Sequence, residues 1–161
     1  MGRKYCLDRY RPPGDWVIAS TTIPVMGVQH RKRRVRRFCR AAESAERGNR
    51  RYGVELRPEP NNPVDPNAIA VDGVIEGRVL VWLWQRKWHI GYLGASIASF
   101  VHENFISRNI AIAAELYSIY ENDDYLDLKV LVLAPPGNSL SAVMHRQLEV
   151  QESSGHTVEG G

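Results

Sequence analysis

Seven of the ten residues from 31 to 40, RKRRVRRFCR, are arginine or lysine, and no acid stands among them. Guanidinium groups present a planar fork of donors that fits phosphate oxygens, so the chemistry on offer is anion recognition rather than bond making. Arg31, Lys32, Arg33, Arg34, Arg36 and Arg37 are the candidate phosphate contacts. A second stretch, EPNNPVDPNAIAV at 59–71, sets Asp65 between Pro63 and Pro66. Each proline fixes its own φ and holds the residue before it, Asn62 or Asp65, extended. A carboxylate on so rigid a loop is preorganised to accept a hydrogen bond. The same composition also makes a tight turn in which Asp65 and Asn67 satisfy backbone N–H groups.

Catalysis would need clustered carboxylates for a metal, or a histidine beside a nucleophile. Asp123, Asp124 and Asp127 fall around a predicted hairpin turn, where acids are usually solvated surface. His89 lies on a predicted strand, and Cys39 on the apolar side of a predicted helix, where it reads as core. Two cysteines and five scattered histidines show no metal-ligand spacing. The sequence is therefore read as non-enzymatic, with no metal and no cofactor, and a nuclease as the reading set aside.

These residues need elements to position them. Val35, Phe38, Cys39 and Ala42 recur at i, i+3, i+4 and i+7, which predicts an amphipathic helix over 31–49 closed by Gly48 and Asn49. Arginines at its start oppose the helix dipole, a cost that a purely structural helix has no need to carry. Strands are predicted over 16–28, 52–57, 68–71 with a turn at Asp72-Gly73, 79–84, 88–93, 110–120 and 125–133. The 79–84 and 88–93 strands are joined by a basic turn at Gln85-Arg86-Lys87, and a second helix covers 95–105. A short helix is expected near 141–148.

The pattern gives a mainly β, α+β chain with two principal helices, in the manner of a small OB-like or SH3-like barrel. Its parts are a basic arm at 1–15, the barrel domain at 16–134 and a partly disordered tail at 135–161. Residues 1–57 carry 15 Lys/Arg against 5 Asp/Glu, and residues 58–161 carry 6 against 13, so one side is built for an anionic partner. Trp82, Trp84 and Trp88, with Tyr92, read either as core or subunit contact or as aromatics on which a base could stack. No apolar run has membrane-span or signal-peptide length, so a cytoplasmic location with no membrane partner is expected.

The loop Glu59-Pro60, Asn62-Pro63, Asp65, Asn67-Ala68-Ile69 and Val71 resembles the signature of the HIRAN domain family, found in SWI/SNF-type DNA translocases and as free-standing bacterial proteins. The resemblance extends over about residues 22 to 133, through Val25-Met26-Gly27-Val28, Leu56, Ile90-Gly91-Tyr92-Leu93 and Ala98. It implies an OB-like barrel with inserted helices that captures the 3′ end of single-stranded DNA, with Asn62, Asp65, Asn67 and Tyr92 at the strand end. Three departures imply a modest preference for that end. Val64 and Gln29-His30-Arg31 stand where the family places stacking aromatics, and Gly94-Ala95-Ser96 where it places a basic residue. The expected function is a non-catalytic module that binds single-stranded DNA or its 3′ end in repair or replication. The alternative is a protein-interaction or dimerisation domain, with a protein partner or a second copy in place of nucleic acid.

Overall fold

The computed structural model describes residues 3–6 and 11–155. The last residues of the predicted tail, 156–161, and parts of the arm lie outside the described residues. Among the described residues eight strands and three α-helices follow one another as β1 (Arg3–Cys6), β2 (Val17–Ile18), β3 (Ile23–Pro24), α1 (Lys32–Arg47), β4 (Tyr52–Pro58), β5 (Ile69–Val79), β6 (Trp82–Tyr92), α2 (Ala95–Asn104), β7 (Ala113–Glu121), β8 (Leu126–Ala134) and α3 (Leu140–Gly155). All ladders are antiparallel. Among the described residues no helix is long and apolar enough to cross a membrane.

The expected closed barrel is not formed. One sheet runs β1-β7-β8-β2 with β3 also on β8, and a second runs β4-β5-β6. A single bridge, Met26 with Tyr92, carries the segment after β3 onto β6. At the other margin β4 packs near β7, but no ladder joins them among the described residues. The result is a mixed α+β fold of two antiparallel sheets linked through the Met26–Tyr92 bridge.

Two sequence expectations fail for one reason, a glycine misread. Asp72-Gly73 was expected to turn the chain, yet β5 runs straight through it with a bulge at Val71/Asp72. A Cβ on Gly73 would stand 2.5 Å from the Phe38 ring, so this glycine makes room for α1 on the sheet rather than for a turn. The reversal falls instead at Leu80-Val81, where Leu80 takes a left-handed φ of 56° and its carbonyl accepts from Arg78 Nε at 2.8 Å. Gln85-Arg86-Lys87, expected as a turn, is the middle of β6.

The predicted 16–28 strand divides at Ser20. Its Oγ accepts from the Val132 N–H at 2.8 Å and donates to the Thr21 carbonyl, taking over a ladder bond and ending β2. The helix near 141–148 is longer than expected, as α3, and brings the α-helices to three. The core lies between the two sheets and under α1, from Val35, Phe38, Cys39 and Ala42 through Val54, Ile69 and Ile90 to Leu128 and Val130. Burial pushes the Cys39 thiol up to about 12, so it is an inert core group.

Candidate nucleic-acid interface

α1 is held from three sides. Phe38 packs against Trp88 of β6, ring centroids 6.0 Å apart. Lys32 Nζ donates to the Asp124 carbonyl at 2.7 Å and Arg36 to the Asp123 carbonyl at 2.5 Å, both in the β7–β8 turn. Arg36 also faces Glu121 at 3.4 Å, so these two predicted phosphate contacts are engaged in tethering the helix. Arg31 at the helix start donates to the Gly27 carbonyl at 3.3 Å and lies over the Tyr92 ring, 5.3 Å from its centroid. Gly27 has φ +78°, and a Cβ there would meet Arg31 Nη1 at 2.8 Å, so glycine serves both the backbone and the arginine.

Arg33, Arg34, Arg37 and Arg40 remain, all exposed. A groove of about 770 Å³ is lined by residues 29–34, Arg37 and Trp88. A second, of about 320 Å³, lies among Arg33, Arg36, Arg37 and Arg40. No acid lines either groove. Arg40 was not among the predicted contacts, although it sits one turn beyond Arg36 and Arg37 on the same exposed surface.

The proline-rich loop is organised by Glu59, a residue of the quoted signature that was not singled out. Its carboxylate accepts from Asn62 Nδ2 at 2.9 Å, Tyr92 Oη at 3.2 Å and Arg57 Nη1 at 2.6 Å. Arg57 reaches on to Asp72 at 2.8 Å, and Asp72 contacts His89 Nδ1 at 3.1 Å. Asn62, Tyr92 and Arg31 are thus brought together through Glu59 and the Tyr92 ring. The side chains of Asp65 and Asn67 make no bond to the Glu59 or Asp72 carboxylates. Asp65 Oδ1 accepts from the Asn67 N–H at 2.8 Å, while Asn62 Oδ1 accepts from the N–H groups of Val64 and Asp65. Asp65 thus fills the tight-turn role weighed from the sequence, and Asn62 rather than Asn67 supplies the second accepting side chain. The i, i+2 spacing of Arg57 and Glu59 at the end of a strand is the signal that could have exposed the network.

Hydrogen bonding holds both network carboxylates below the usual range. For Glu59 the Asn62 amide is the chief cause, ahead of Arg57 and Tyr92 and against burial. For Asp72 burial pushes upward, but the bonds from Arg57 and His89 outweigh it. Because the folded values lie below the unfolded ones, the stabilisation is complete above the ordinary carboxylate range and is lost as pH falls through it. The melting temperature is expected to be level from neutrality to about pH 5 and to fall below about pH 4. Asp72→Asn should melt lower at neutral pH and show a shallower acid decline. An unchanged acid profile in that variant would remove Asp72 from the network's energetics.

No protein-family model matches the chain, and no curated protein matches it. Among solved structures the chain is similar to the HIRAN domain of human HLTF, at 16% identity, over 81% of this chain and 88% of that domain, with a TM-score of 0.40. That neighbour comes from the family whose signature the 59–71 loop resembles.

Proposed function

We propose that the protein is a non-catalytic nucleic-acid-binding module whose phosphate contact is the exposed face of α1. The carrying observation is that Arg33, Arg34, Arg37 and Arg40 stand exposed around grooves lined by no acid, while Lys32 and Arg36 fix the helix that presents them. A folded domain gains little from keeping like charges crowded on one surface. A polyanion supplies the counter-charge and releases condensed counterions as it binds.

The test is a titration of wild-type protein with labelled single strands at several salt concentrations. Binding to about four phosphates gives a slope of log affinity against log salt near −3, from roughly −0.7 per contact. A slope near zero would remove the nucleic-acid reading and favour the adaptor alternative. Strands ending in 3′-OH and in 3′-phosphate belong in the same titration. Asp65 is already used by its own turn, so the preference for a free 3′ end is expected to be small, within about threefold of equality, well under the value of one charged hydrogen bond. A strong preference lost in Asp65→Ala would restore end capture. Incubation with Mg²⁺ or Mn²⁺ should leave the strand intact.

A further inference from the structure

The β5–β6 hairpin extends beyond its sheet. β4 pairs with β5 only as far as Tyr52 opposite Ile75, whereas the β5–β6 ladder continues from Glu76–Gln85 to Val79–Trp82. This overhang carries large apolar side chains in water, with Leu80 85%, Leu83 81%, Trp82 76% and Trp84 39% exposed. Residues opposite one another in an antiparallel ladder share a face, and alternate residues of a strand point the same way. One face therefore carries Gly73, Ile75, Gly77 and Val79 from β5, with Trp82, Trp84, Arg86 and Trp88 from β6. It is the face on which α1 packs, since Phe38 meets both Gly73 and Trp88 there.

Each neighbour in that row has a defined support. Trp88 is buried under α1, and the Arg86 guanidinium covers its ring at 4.9 Å. Trp84 lies across the strand on Gly77, where a Cβ would stand 2.2 Å from the indole, so the ring is seated on backbone while the residue stays 39% exposed. Trp82 follows, with Val79 opposite. Successive members are about 6.6 Å apart along a strand, a span that neighbouring unstacked nucleotides of one extended strand can cover. No acid occupies this face from Gly73 to Trp88.

We propose that Trp82 and Trp84 are a base-stacking platform, and that the ligand of the α1 interface is single-stranded nucleic acid, phosphates on the helix and bases on the indoles. The proposal rests on the reading of α1 as the phosphate contact. Paired bases in a duplex hide the ring faces that this row would cover, so duplex is the poorer ligand. An anionic lipid surface fits less well. The opposite face of the same ribbon carries Glu76, and Lys87 there is paired with Glu55 at 2.5 Å.

The experiment compares oligo(dT), a base-free strand of equal length and a blunt duplex, bound to wild type, Trp82→Ala, Trp82→Ala/Trp84→Ala and an α1 variant with four arginines changed to alanine. The expected result is a loss of about tenfold for each indole removed on oligo(dT), with affinity for the base-free strand unchanged. Trp82→Ala, at an exposed position, keeps the test valid if the double variant melts low. Oligo(dT) affinity retained in both tryptophan variants would overturn the platform, as would equal loss on the base-free strand. So would conversion of a dimer to a monomer, or loss of binding to phosphatidylserine vesicles, in place of an oligo(dT) effect. If the arginine variant binds every ligand as wild type does, it is the α1 reading that fails.

Discussion

Changing Arg33, Arg34, Arg37 and Arg40 together to alanine should weaken single-strand binding several-hundredfold at about 0.1 M salt. Each phosphate contact on a single strand contributes roughly −0.7 to the slope of log affinity against log salt, so four contacts account for nearly three decades between about 1 M and 0.1 M. The fold should survive, because all four side chains are exposed and alanine is the best helix former. Lys32 and Arg36 are left in place because their bonds to the β7–β8 turn would mix stability with binding. Anisotropy titrations from about 50 to 200 mM salt measure both affinity and slope. A variant that keeps its slope would show that the counterions leave from some other surface, and α1 would then be a solvated helix.

The largest effect on stability is expected at Gly91. A Cβ on this residue would lie 2.2 Å from the Met26 carbonyl oxygen and 2.6 Å from Val25 Cγ1. The obstacle is backbone, and that backbone is committed. Met26 and Tyr92 exchange both amide hydrogen bonds, at 2.8 and 3.0 Å, in the bridge between the two sheets. Gly91→Ala must pry the bridge apart, at a cost of about 3 kcal/mol, the upper end for overpacking a filled core. At roughly 2–4 °C per kcal/mol for a chain of this size, the melting temperature falls by on the order of 6–12 °C. Arg31 would lose its seat over Tyr92 with it. Calorimetry decides, and a melting temperature within about 2 °C of wild type would mean that the bridge is dispensable.

How much of this was legible follows the physics of each signal. α1 was legible because periodicity and burial agree, and Val35, Phe38, Cys39 and Ala42 are all buried. The β7–β8 hairpin was legible because ENDD is polar enough to force a reversal, and Asn122 Oδ1 accepts from the Asp124 and Tyr125 N–H groups there. The β5–β6 hairpin was not. Its reversal uses Leu80 and Val81, residues no turn rule selects, while the turn-like Asp72-Gly73 serves a ring on another element. Once the turn was misplaced, the even spacing of Trp82, Trp84, Arg86 and Trp88 could not be read as one face. The loop was recognised by its residues, but its logic was tertiary. Glu59 matters because Tyr92, far along the chain, delivers a hydroxyl to it.

The overhanging ribbon also bears on how the molecule behaves in a tube. Val79 to Trp84 is six residues without charge or proline, exposed around the reversal at Leu80-Val81, a composition that favours association with copies of itself. Arg78 and Arg86 flank that segment on either side as gatekeepers, and their like charge opposes association of one ribbon with another. Salt shortens the reach of that repulsion, from about 10 Å at 0.1 M to 3 Å at 1 M. On the proposed reading of α1, the ionic strength that would strip a polyanion from the helix is the same condition that would let the ribbons find one another, so one variable would set both colloidal stability and ligand release.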